Sequence, residues 1–253
     1  MTRGIANFRE YFKDYHGQYV IIGGTACELL FADQGFAGDF RATKDLDLVL
    51  IVELIHIDFK ERFLNYIKEA GYEHINKSTG KPQFYRFQKP KSKDYPDMIE
   101  LFARKQDILD LPADIICSPL SIDDSHYSLS AILLDDIYYD FLRSGVGDND
   151  YIGAEYLIPF KAKAWLDLNE RSNSGVEHID SKKIKKHLND VLRVSMFLTP
   201  GKQITVGKEI FNDLEAFLLA VEKSNISLKN LGIAMSKAEL LSNIRNTYIE
   251  VNA

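Results

Sequence analysis

The sequence predicts an α+β protein with an α/β-type front part over residues 1–155, built on a mixed central sheet flanked by helices. A helical subdomain follows over residues 156–253. Three observations carry this expectation. Short apolar runs alternate with amphipathic stretches of helical spacing through the first 150 residues. The run Leu46-Asp-Leu-Val-Leu-Ile-Val52 is apolar on both faces after Asp47, the pattern of a strand buried in the middle of a sheet. From Pro159 onward every periodic stretch has helical spacing, and no strand pattern interrupts it.

In chain order, Ile5, Phe8, Phe12 and Tyr15 recur at helical spacing, and Gly17 stops that helix. Tyr19 to Ile22 is a short apolar strand ended by Gly23-Gly24-Thr25. A helix follows over Ala26 to Ala32, and then a glycine-containing loop from Gln34 to Phe40. After the central strand, Asp58 to Ala70 is an amphipathic helix with Phe59, Phe63, Tyr66 and Ile67 inward and Gly71 at its C-terminal cap. Strands are expected at Gln83 to Gln88, at Met98 to Phe102 and at Leu129 to Leu134, and a helix at Asp135 to Arg143 that opens on two aspartates. The back half holds helices at Pro159 to Asn169, Ser181 to Leu198, Gly207 to Lys223 and Ser236 to Val251, with a polar loop over residues 171–179.

The 253 residues are 45% hydrophobic and 27% charged, enough apolar material for a sizeable core. The formal charge of −6 argues against a protein that wraps nucleic acid through clustered cations. That charge is uneven. Residues 1–150 hold 17 Lys and Arg against 25 Asp and Glu, and residues 151–253 hold 14 against 12. Cys27 and Cys117 form neither a disulfide framework nor a zinc motif, which points to a reducing cytoplasm. With no apolar leader and no long apolar window, neither secretion nor a membrane span is expected.

Chemistry concentrates where the front half places carboxylates against its own apolar pattern. Asp45 and Asp47 stand two apart on a strand, so both point to one face while Leu46 and Leu48 point to the other. Two acids heading an apolar central strand repel and call for a cation between them. Glu100 repeats the oddity within Met98-Ile-Glu-Leu-Phe102. Three hard oxygen donors on neighbouring strands suit Mg²⁺ or Mn²⁺, which in phosphoryl chemistry bind carboxylates together with substrate phosphates. Gly23, Gly24 and Thr25 open a helix, where backbone amides and a hydroxyl can approach a phosphate. A second Asp-x-Asp pair, Asp148 and Asp150, lies in a loop.

This layout resembles the nucleotidyltransferase fold of the polymerase β superfamily, and within it the AbiEii-type nucleotidyltransferases, the toxin half of abortive-infection toxin–antitoxin systems. The resemblance rests on Gly23-Gly24-Thr25 with Leu29, on Arg41-Ala-Thr43-Lys-Asp45-Leu-Asp47, on Pro159-Phe-Lys161-Ala-Lys163-Ala-Trp165, and on Lys185-Lys-His187-Leu-Asn-Asp190-Val-Leu192. It covers residues 19 to about 198. It departs from the family pattern in having Glu100 as third acid, His187 in place of an acid, and a long gap between Thr25 and Asp45.

The resemblance implies an Mg²⁺-dependent transfer of a nucleoside monophosphate from an NTP to a hydroxyl. Asp45, Asp47 and Glu100 would hold metal, and Gly23, Gly24, Thr25, Arg41, Thr43 and Lys163 would contact the nucleotide. Lys161 and Asp190 would take part in catalysis. The implied acceptor is a tRNA or a protein, and the implied partner an antitoxin.

Pro159 suits the first position of a helix, which would put Lys161 in the first turn, where a cation calls for an anion. Asp190 either shares the catalytic work or pairs with Lys161 or Arg193. The run Lys182 to Lys186 is either a solvated face or a patch for RNA or nucleotide phosphates. Two other classes stay open: a small-molecule nucleotidyltransferase of the aminoglycoside-modifying kind, and a catalytically silent nucleotide-binding or interaction module on the same fold.

Overall fold

The computed structural model describes residues 1–51, 53–74, 84–103, 135–174 and 179–251. It is α+β, and its described residues fall into two compact units that divide between Ile152 and Gly153, three residues ahead of the expected boundary. The expected strand at Leu129 to Leu134 and Cys117 lie outside the described residues.

The front unit begins with helix α1 (Ile5–Tyr11), which tightens into a 3₁₀ turn over Lys13–Tyr15 rather than running on as one helix. Strand β1 (Tyr19–Ile22) leads directly into helix α2 (Gly23–Asp33), so the helix starts three residues before the expected Ala26. Strand β2 (Asp45–Leu50) is followed by helix α3 (Ile57–Ala70), closed by Gly71 in the left-handed conformation. Next come β3 (Glu73–His74), β4 (Phe84–Gln88) and β5 (Met98–Phe102). Helix α4 (Asp136–Ser144) is capped by the Asp135 carboxylate, which accepts the Ile137 N–H at 2.9 Å.

The sheet order is β1-β2-β5-β4-β3. β2 and β5 are parallel and the other neighbours antiparallel, which makes the sheet mixed, with β2 and β5 inside it. Residues paired across neighbouring strands share a face. One face is set by Tyr19, Ile21, Leu48, Ile99 and Phe87. It meets the aromatic residues of α1 and α3: Tyr19 packs on Phe8, Phe12 and Phe59, and Phe87 on Phe63. The outer edge of β1 is covered by residues 150–152, where Ile21 N–H donates to the Asp150 carbonyl and Ile152 N–H to the Ile21 carbonyl. Arg9 holds this segment through an ion pair with the buried Asp150 carboxylate at 2.7 Å.

The back unit carries α5 (Ala154–Asn173), α6 (Ser181–Val194) with a 3₁₀ turn at Ser195–Phe197, and α7 (Lys208–Lys223) and α8 (Lys237–Thr247). It is not wholly helical as expected. Strands β6 (Ile204–Val206) and β7 (Tyr248–Glu250) form a parallel pair. Each is three residues long, too short to show a period of two in the sequence. Trp165 packs edge-on against Phe217 at 5.3 Å within this unit. Among the described residues no helix is long and apolar enough to cross a membrane.

Pro159 is the largest departure from the sequence expectation. It lies inside α5 instead of at its start. A proline there cannot supply the N–H that would satisfy the carbonyl four residues back, which belongs to Glu155. The Tyr248 hydroxyl donates to that carbonyl at 2.7 Å. Burial holds the Tyr248 phenol well above its ordinary range, so it stays a donor. Tyr248→Phe is therefore expected to destabilise the back unit by about 1–3 kcal/mol in denaturant unfolding. The cost should fall below about 1 kcal/mol in a Pro159→Ala background, where the residue 159 N–H returns. An equal cost in both backgrounds would refute the link.

Candidate active site

The second face of the front sheet carries the polar residues. Reading straight across the strands, Ile22 of β1 pairs with Asp47 of β2, Asp47 with Glu100 of β5, and Glu100 with Arg86 of β4. Asp45 lies two residues before Asp47 on the same face, at the start of β2. The row thus brings together the three acids singled out in the sequence, and it adds an arginine that sequence reasoning missed. Arg86 stands between Tyr85 and Phe87, so the sequence shows only a cation inside an aromatic run, and the register with β5 is what sets it beside Glu100.

Asp47 is 7% exposed and Glu100 fully buried. Arg86 Nε meets Glu100 Oε1 at 2.6 Å, and Arg86 itself keeps partial contact with solvent. Burial pushes the Glu100 carboxyl above the usual carboxylate range. The Arg86 guanidinium opposes that shift through its charge and hydrogen bond, the nearby Asp45 charge adds to it, and a hydrogen bond with Asp47 opposes it. Glu100, expected as a metal ligand, is therefore held by an internal cation. Among the described residues no group of three or more Asp, Glu, His or Cys side chains is arranged to hold a metal ion.

The glycines make room for this row. Gly23 has φ +68°, and a Cβ there would land on the Asp47 carboxylate. A Cβ on Gly24 would come within 3.0 Å of Thr43 Oγ1 and 3.4 Å of an Arg41 terminal nitrogen. Both neighbours from the Arg41-x-Thr43 motif thus lie over the start of α2, with the Arg41 guanidinium 5.4 Å from the centre of the Phe40 ring. No side chain caps α2 at Ile22. Its positive end favours the anionic Asp47 lodged against it.

Thr25 is a correction. Its hydroxyl was expected to contact phosphate, but it is buried inside the unit, where it donates to the Asp45 carbonyl at 2.8 Å and lies 3.0 Å from the Thr2 hydroxyl. Thr2 in turn donates to Glu28 at 2.6 Å. Thr25 therefore ties α2 to the start of β2 and so sets where Asp45 stands. The other Asp-x-Asp pair is separated by its surroundings, with Asp148 exposed and Asp150 buried against Arg9.

The donor chemistry fits a divalent ion on Asp45 and Asp47. Both offer hard oxygens on one face, and Mg²⁺ is commonly bound through one or two carboxylates with water and substrate phosphate completing the shell. A third protein carboxylate is not required.

In the back unit Lys161 is not in a first turn, because α5 begins at Ala154. Its ammonium meets Asp190 at 2.8 Å, and the two side chains are 4% and 3% exposed. Asp190 thus pairs with Lys161, one of the two partners the sequence offered for it. Lys163 reaches Asp213 at 3.3 Å and Asp167 at 3.5 Å. Lys182, Lys185 and Lys186 are exposed on α6, while His187, Asp190, Val191, Leu192 and Val194 are buried.

Comparison of the chain with protein-family models, with curated proteins and with solved structures finds no match in any of the three.

The cradle makes a direct prediction. Gly23→Ala should cost more than about 2 kcal/mol, since the left-handed backbone alone costs about 1–2 kcal/mol for an L-residue and the Asp47 carboxylate must also move. Gly35→Ala is the control. Gly35 has φ +83° with open space around it, so it should show the backbone cost alone. Equal losses in the two melts would mean that Asp47 does not depend on Gly23.

Proposed function

We propose that the front unit is a metal-dependent nucleotidyltransferase that moves a nucleoside monophosphate from an NTP to a hydroxyl of a tRNA or protein, as the AbiEii-like motifs imply. On this reading a cognate antitoxin is its partner. The observation that carries it is the acid pair Asp45 and Asp47, placed beside a helix start whose two glycines let Asp47, Thr43 and Arg41 come close to its backbone. When bound, a divalent ion would lower the charge on the triphosphate and stabilise the pentavalent phosphorus.

The residues themselves do the rest. Asp45 and Asp47 would hold the ion, the positive end of α2 would favour the anionic groups gathered beside it, and Arg41 would offset charge developing on the leaving group. The acceptor oxygen attacks the α-phosphorus and forms the new P–O bond. The bond to the β-phosphate oxygen breaks, pyrophosphate leaves with its electron pair, and the acceptor proton passes to water. Lys161 and Asp190 satisfy each other and are left out of this scheme.

The Arg86–Glu100 pair gives a second reading some support, because a buried, internally paired third acid also suits a silent nucleotide-binding module. Incubation with each α-labelled NTP and a cell extract, followed by separation of RNA from protein, distinguishes the two. Transfer by the wild type that drops at least about 100-fold in Asp47→Asn is expected, as several kcal/mol of charge stabilisation would be lost. Mg²⁺-dependent NTP binding without transfer would favour the silent module, and transfer undiminished in Asp47→Asn would remove the acid pair from the mechanism.

A further inference from the structure

Two carboxylates, Asp47 and Glu100, stand in register on neighbouring strands and so on one face of the sheet, where strand backbones run about 4.8 Å apart. Like charges so placed are destabilising, and burial removes the water that would screen them. A positive charge is needed at the row. The sequence suggests that metal supplies all of it, but the structure already contains one cation, Arg86, next in register after Glu100. We infer that Arg86 takes the place of a second metal ion, so that the site accepts a single divalent cation on Asp45 and Asp47 while Glu100 is closed to metal. The inference rests on the nucleotidyltransferase reading and refines its metal content.

The geometry supports this in three ways. The contact at 2.6 Å is a charge-assisted hydrogen bond from Nε, so the guanidinium is fixed in direction as well as in charge. Arginine keeps its charge at any working pH and is weakly hydrated, which makes it suited to a partly buried pair. Glu100, held by Arg86 on one side, stands in register with Asp47 on the other. Arg86 is thus a positioning residue. It fixes Glu100, and Glu100 with the Gly23 cradle fixes the carboxylate of Asp47.

The test is a count of bound Mn²⁺, titrated into the purified protein alone and read from the paramagnetic resonance of free Mn²⁺. The wild type should bind one ion at the acid row, lost in Asp47→Asn. Arg86→Lys, which keeps the charge, should also bind one. Arg86→Met, which leaves both acids without their internal cation, should bind two. Mn²⁺ should raise its melting temperature by at least about 4 °C more than it raises that of the wild type. Two ions in the wild type or in Arg86→Lys would overturn the inference and leave the nucleotidyltransferase reading standing. One ion in Arg86→Met with no extra melting shift would overturn it too. No Mn²⁺ at Asp47 in any variant would instead sink the reading on which it rests. If Arg86→Met fails to fold even with Mn²⁺, the counts for wild type and Arg86→Lys decide.

Discussion

A carboxylate carried into the middle of a sheet must be given a positive environment or it will not stay charged, and in the front unit Asp47 makes demands on four elements. β1 must be followed at once by a residue without a side chain, because the space a Cβ on residue 23 would fill belongs to the Asp47 carboxylate. α2 must begin there and uncapped by a side chain, with its positive end against the acid. β5 and β4 must bring Glu100 and Arg86 into the same row. The opposite face of the same strands is free of this demand and is filled with aromatic residues from α1 and α3. One sheet thus has a hydrophobic face that holds it together and a charged face that is held in place.

The back unit meets two comparable demands by internal pairing. The carbonyl left over by Pro159 is satisfied by Tyr248, at the start of the last described strand, and the buried ammonium of Lys161 by Asp190. Lys237 closes α7 by donating to the carbonyls of Glu222 and Ser224, both at 2.8 Å. Each bond joins segments distant in the chain, so the unit depends on contacts that no local pattern announces.

That difference explains what was legible in the sequence. α3, β5 and the cap of α4 follow from local rules, namely an apolar stripe, an alternation and an aspartate before a helix. The acid pair was visible because Asp45 and Asp47 contradict the apolar run they head. Thr25 was misassigned because its motif position suggests a phosphate contact, whereas its actual neighbours, Thr2 and the Asp45 carbonyl, come from segments 23 and 20 residues away. Lys161 was misplaced because a proline near a helix start and a proline inside a helix look alike until the residue that satisfies the orphaned carbonyl is known. Arg86 was overlooked because its meaning lies in register, which parallel and antiparallel pairing set together.

The central claim is that Asp45 and Asp47 form the metal-binding edge of the charged row and that Arg86 closes its far end. The most direct measurement is anomalous diffraction at the manganese edge from crystals grown with Mn²⁺ and a non-hydrolysable NTP analogue. The account predicts one protein-bound peak within about 2.2 Å of carboxylate oxygens of Asp45 and Asp47, with Arg86 still on Glu100. A peak shared by Asp47 and Glu100 with Arg86 displaced, or no peak at the row, would contradict it.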